Sequence, residues 1–299
     1  MSINIAKVLE EVKRMNQIDV YQALETSPKM PVIPPEISDI FEMIRQPDLL
    51  DIDLLAEKVA LYDGLNQAVL TNVNSGYYQI SRTIENINEA IVFLGMKTMR
   101  NLLIYFITEL LFHDELGKQS SLFSSHQYWK HNLGTAVACN ILSSKLKIGD
   151  RFQLFSYGLC HDIGFAILNA CLPDLVDQIF ETMSRGVHHI VAEKIALGGK
   201  THADIGAWIC EKWGLPEDLG LVVKYHHSPL LSTDNLSEIE LIHVADCIST
   251  EYYQRLIGLD VRHPINARVM QNLRITKDMV EEIGASLPDE VEQVSRIFA

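Results

Sequence analysis

Positive charge is scarce in this chain. It carries 25 Lys and Arg against 39 Asp and Glu, a formal net charge of −14. A surface this acidic repels phosphate backbones and anionic lipids, so neither nucleic acid nor a membrane is expected as a partner. A local basic pocket for a small phosphate is still allowed, because net charge does not describe a cleft. Chain breakers are also few, with 10 prolines and 16 glycines in 299 residues and no low-complexity tract. Long disordered linkers are not expected from such a composition. The five cysteines (Cys139, Cys160, Cys171, Cys210 and Cys247) form no CxxC pair and are odd in number. Their plain reading is buried, reduced thiols in the cytoplasm. The first residues lack an apolar signal core. The longest apolar stretch, 101–112, includes Glu109 and falls short of the roughly 20 residues a membrane span needs.

Alternating strand patterns and a βαβ rhythm are missing as well. What is present is helical periodicity on a chain that is 47% hydrophobic and 21% charged, which supplies ample material for a core. The expectation is an all-α, multi-helix bundle in two helical subdomains. A helical extension covers 1–25, one subdomain 26–118 and a second 119–299, with the polar run 114–125 as linker. The segment 27–35, rich in proline, reads as an extended strap, with Pro34 and Pro35 suited to the first turn of the next helix. That helix carries Ile37, Ile40, Phe41 and Ile44 at core spacing. Further helices are predicted at 51–61, with Leu54, Leu55, Val59 and Ala60 inward, and at 65–73, 84–94 and 97–112. Gly95 reads as the glycine that ends the third of these. In the second half, helices are predicted at 127–146, 151 to the His161-Asp162 turn, 173–183, 187–197, 217–226, 237–257, 276–283 and 288–298. Thr201 and Asp204 form a capping-box pattern at the head of another, which Gly214 and Pro216 end.

His131, His161, Asp162, His202, His226, His227 and Asp246 come from at least five predicted helices, each with apolar neighbours that turn part of it toward a core. Imidazole and carboxylate suit iron, manganese or zinc in a helical bundle, and seven candidates are enough for one ion or two. The strongest local signal is Leu159-Cys160-His161-Asp162-Ile163-Gly164, a charged pair closing an apolar run, with Gly164 permitting a tight exit. Burying Asp162 without a counter-charge would cost several kcal/mol, which a cation removes. The competing reading is a helix end whose His and Asp pair with backbone groups. His202 is either a ligand kept neutral by the positive end of its helix or a surface histidine. Asp246, an acid among apolar residues, needs a metal or an Arg/Lys partner. His243, one turn before Asp246, is read as a supporting group. His188, His189, His113, His126 and His263 have no ligand-like setting and are taken as surface or structural.

The order Trp129-Lys130-His131, His161-Asp162-Ile163-Gly164, His202-Ala203-Asp204-Ile205-Gly206, Tyr225-His226-His227 and His243-Val244-Ala245-Asp246 resembles the HD superfamily. In that superfamily His131, His161, Asp162 and Asp246 would hold one metal. Its two-metal members, such as the HD-GYP phosphodiesterases, add histidines at the places of His202, His226 and His227, with Asp162 as the bridging carboxylate. In the first half, Met30-Pro31-Val32-Ile33-Pro34-Pro35, Asn74-Ser75-Gly76-Tyr77-Tyr78 and 87–95 resemble the HDOD domain, the HD-related output domain. That resemblance implies a bacterial signalling module, usually without catalysis.

Several departures weaken a hydrolase. HD hydrolases often carry a phosphate-contacting lysine at the place of Phe165, and two-metal members carry a glutamate at the place of Gln127 and an aspartate at the place of Ser249. No GYP follows His226-His227. Two readings remain. One is a standalone signalling module with a retained divalent metal site, binding a protein partner or a small phosphate-containing ligand. The other is a metal-dependent phosphohydrolase, with Asp162 and His202 catalytic and Lys200, Lys224 or Arg185 supplying the missing charge.

Overall fold

The computed structural model describes residues 18–30, 32–45, 51–74, 78, 80–113, 120–256 and 264–298. The regular secondary structure among these residues is entirely helical, with no strand. The helices of the first half are α1 (Val20–Glu25), α2 (Pro35–Arg45), α3 (Ile52–Ala60), α4 (Asp63–Val73), α5 (Ile87–Leu94) and α6 (Met96–His113). The second half adds α7 (Ser125–Leu146), α8 (Arg151–Cys160), α9 (Ile163–Cys171), α10 (Pro173–Ser184), α11 (His189–Ala196), α12 (His202–Lys212) and α13 (Glu217–Tyr225). A 3-10 turn at Pro229–Leu231 precedes α14 (Leu236–Leu256), α15 (Ala267–Leu273) and α16 (Lys277–Phe298).

Side-chain caps set most of the boundaries that matter. Ser124 accepts from the Gln127 amide at the head of α7, and Asp150 from the Phe152 and Gln153 amides at the head of α8. Both halves of the Thr201/Asp204 capping box are made at α12. Gly95, at φ 80°, closes α5 as the sequence predicts.

Helix α7 is the hub, packed against α8, α14 and α16. Its residues 132–139 are buried on every side, the signature of a core helix. A second junction decides where the site forms. A methyl group at Gly164 would clash with the carbonyl oxygen of His202 and lie 2.6 Å from the Gly206 amide nitrogen. Helices α9 and α12 therefore meet backbone to backbone, and this contact carries His202 to Asp162. Gly164 was expected to release a tight turn; it lies inside α9, where closeness rather than backbone freedom requires it.

Other expectations need correction. Leu54 is 43% exposed and Ala60 is also exposed; in so short a helix, Leu55 and Val59 alone reach the core. Helix α5 starts at Ile87, because Asn86 caps the Glu89 amide. The expected break at Pro288 does not occur, and α16 runs through it. An internal proline costs about 3 kcal/mol, whereas Ile283, Leu287, Val291 and Val294 form one continuous buried stripe, each worth about 1.5–3 kcal/mol. Helices α9 and α15 were not anticipated. The sequence-predicted helix before residue 18, Pro31 and 75–77 of the motifs, linker residues 114–119, the His113 side chain and His263 lie outside the described residues.

Candidate metal centre

His131 comes from α7, His161 from the C-terminal end of α8, and Asp162 from the entry to α9. His202 opens α12, His226 and His227 follow α13, and Asp246 lies in α14. The structure brings all seven side chains together. Asp162 Oδ1 lies 3.0 Å from His202 Nε2, 3.4 Å from His226 Nε2 and 3.6 Å from His161 Nε2, while its Oδ2 lies 3.4 Å from His131 Nε2. Asp246 Oδ1 lies 3.5 Å from His131 Nε2, and its Oδ2 lies 3.3 Å from His227 Nδ1. Two groups of potential ligand atoms result, His131/His161/Asp162 and Asp162/His202/His226/His227, sharing Asp162.

The chemistry of these groups fits a cation. His161 Nδ1 lies 2.7 Å from the Gly158 carbonyl and His226 Nδ1 lies 2.8 Å from the Val223 carbonyl. A carbonyl only accepts, so each Nδ1 carries the proton and, in the neutral ring, each Nε2 offers a lone pair. His202 Nδ1 lies 2.8 Å from both oxygens of Glu193, which is 1% exposed, and is set the same way. The Nε2 atoms then crowd one another, at 3.2 Å between His202 and His226, 3.0 Å between His202 and His227, and 3.3 Å between His131 and His161. Ligand atoms about 2.0–2.1 Å from one ion stand roughly 3–3.4 Å apart, so these gaps are those of a coordination shell. Asp162 Oδ1 is enclosed and has no hydrogen-bond partner. A buried carboxylate oxygen facing lone pairs is costly unless a cation lies between them.

Burial opposes charge at His161, Asp162, His202, His226, His227 and Asp246. It pushes His226 and His227 below the usual imidazole range. At His161 the neighbouring Asp162 and Asp246 overcome burial, and at His202 Glu193 and Asp162 do so, holding both rings above that range. The ring charges in turn outweigh burial at Asp162 and Asp246 and hold both carboxyls well below theirs. Without an ion, the neighbouring carboxylates favour protonation of His161 and His202.

Backbone carriers are tied down from behind. His243 Nδ1 donates to the His226 carbonyl at 2.8 Å and its Nε2 accepts from the Asn266 amide at 3.4 Å. The Tyr128 hydroxyl donates to the Asp162 carbonyl, and that of Thr250 to Asp246 Oδ1, both at 2.9 Å. Ser249 Oγ donates to the His131 carbonyl at 2.9 Å and would lie 2.6 Å from a methyl group at Gly134, so α7 and α14 close tightly there.

Two residues escaped the sequence reading. Glu193 was not considered, although an acid among Ala192 and Ala196 on an apolar helix was a usable signal. His189 was taken as surface or structural; it is buried, with its ring 5.0 Å from that of His227. Both line a chamber of about 130 Å³ above the cluster, together with Phe165 and Gln127. Lys200, Lys224 and Arg185 are exposed and form no part of its wall.

The HDOD domain pattern matches residues 30–229. The chain belongs to the HDOD family. Six of the seven clustered residues fall inside the matched HDOD span, and Asp246 lies beyond it. An HDOD domain protein of unknown function from Geobacter sulfurreducens shares the fold, with TM-score 0.66 at 20% identity over 93% of this chain and 99% of that one. A protein of Marinobacter aquaeolei VT8, provisionally named a signal transduction protein, superposes with TM-score 0.67 at 16% identity over 99% of this chain and 67% of its own. One from Shewanella amazonensis SB2B, provisionally named a phosphohydrolase, gives TM-score 0.67 at 20% identity over 95% and 100%. These likenesses are of HDOD fold alone. An uncharacterized protein of Treponema pallidum (strain Nichols) is 25% identical over 222 residues, 68% of this chain. The match spans only 40% of that relative's length. Among the described residues, no single helix is long and apolar enough to cross a membrane.

Proposed function

We propose that this HDOD protein is a bacterial signal-transduction or regulatory module with a retained HD-type metal site. One observation carries the reading: seven imidazoles and carboxylates converge on one place, while among the described residues no lysine or arginine lines the chamber above them. His131, His161, Asp162 and Asp246 would hold one ion, and His202, His226 and His227 a second through shared Asp162. The mixed nitrogen and oxygen donors suit iron, manganese or zinc. Elemental analysis of the full chain, purified without added metal, is the test. One or two equivalents in wild type, lost in Asp162→Ala, with no phosphodiester turnover, is the expected result. A wild type that takes up none of the three metals overturns it.

A second reading, metal-dependent phosphohydrolase, is favoured by the sharing of Asp162 between the two groups. A bound cation supplies Lewis acidity to a phosphoryl group. His202, kept in register by Glu193, would move the proton. Manganese-dependent phosphomono- or phosphodiester cleavage that vanishes in Asp162→Ala would establish this reading in place of the first.

A further inference from the structure

The chamber's floor is polar and its walls are aromatic. Phe165 stacks on Phe123 at 5.5 Å between ring centroids and on Tyr128 at 6.3 Å, with an interplanar angle of 27° in each pair. Its ring also meets Phe180 edge-on at 6.2 Å and His202 at 5.8 Å. Leu122, Met183 and Tyr253 complete the apolar wall. Among the described residues, Asp162, Asp246 and Glu193 are the charged side chains along it besides the histidines, and all three are acidic. A phosphate dianion entering there would meet the metal site and, among the described residues, no lysine or arginine along the wall, against the usual recognition by Arg or Lys forks. A flat apolar group would instead trade water for ring faces, which aromatic pockets favour. At about 130 Å³ the chamber has room for roughly one ring and a head group.

We propose that this chamber binds a small, uncharged or singly charged molecule with a flat apolar body and one metal-binding head, and that it discriminates against phosphates. The proposal rests on the metal reading above and names the ligand class of that same site. Full-length protein loaded with manganese is titrated calorimetrically with benzohydroxamate, acetohydroxamate and inorganic phosphate, with metal content measured on the same sample. Benzohydroxamate is expected to bind at least tenfold more tightly than acetohydroxamate, which lacks only the ring, and phosphate to bind most weakly. Phe165→Lys should reverse the order of benzohydroxamate and phosphate with metal content unchanged. Phe165→Leu, which keeps the wall apolar, should reduce the ring preference without improving phosphate binding. Equal affinity for the two hydroxamates, or tightest binding of phosphate, on a metal-loaded sample overturns this proposal and leaves the metal reading standing. A wild type that holds no metal overturns both.

Discussion

Glu193 grips His202 twice, with both carboxylate oxygens 2.8 Å from Nδ1 and one of them also 2.8 Å from the His202 backbone amide. Ring and helix start are thereby fixed together. Glu193→Gln keeps the shape but removes the anion that favours the Nδ1–H tautomer. Metal affinity should fall about 10–100-fold with helical content retained, as read by competition titration and circular dichroism. Unchanged affinity would show that Glu193 serves packing alone.

Gly164→Ala tests the α9/α12 contact. The added methyl group meets backbone atoms, which cannot rotate away. Overpacking of this kind costs about 1–3 kcal/mol, to be read from urea denaturation. His202 should also move from Asp162, so metal affinity should drop together with stability. Loss of stability with metal binding intact would separate the two junctions.

Acidification should strip the metal. His161 and His202 are raised above the usual imidazole value in the ion-free cluster, so protons compete with a cation for both rings. Binding therefore releases about one or two protons. Affinity should rise as pH climbs through the imidazole range and fall on the way down. Titrations in buffers of different ionisation enthalpy count those protons; zero release at neutral pH would contradict the electrostatic account.

Away from the centre, Arg100 donates to both oxygens of Asp218, at 2.8 and 2.6 Å, and the Tyr157 hydroxyl adds a third bond at 2.7 Å. Burial works to raise the Asp218 carboxyl, but Arg100 prevails and holds it below its ordinary value. A carboxyl whose folded value is depressed stabilises the fold fully above its unfolded value of about 4. That stability is lost as pH falls through the folded value. Asp218→Asn should cost about 2–4 kcal/mol at pH 7, the lower side of breaking a buried pair, since the Asp218 side chain is 21% exposed. The gap between variant and wild type should narrow below about pH 4; a gap independent of pH in denaturation experiments would refute the role of charge.

The candidate ligands were legible because each breaks its local pattern. Asp162 and Asp246 are acids inside apolar runs, and His202 opens a helix whose capping box is written in Thr201 and Asp204. Glu193 and His189 were not, because they reach the chamber only once α11 is turned against the start of α12, a tertiary fact without a short-range signature. Pro288 misled for the opposite reason: its local preference is strong, and the buried stripe that overrules it is visible only when α16 is packed on α7. Phe165 was read as a missing lysine; folded, it is the centre of an aromatic wall.

The seam at Ser249 limits which side chains can be placed there. Its hydroxyl fills the gap opposite Gly134 while bonding to the His131 carbonyl, and the residue has no solvent exposure. A carboxylate in its place would need space that the neighbouring helix occupies. A single Ser249→Asp substitution would therefore be accommodated only if the partner helix gave way first, so the seam bars that change from being made alone.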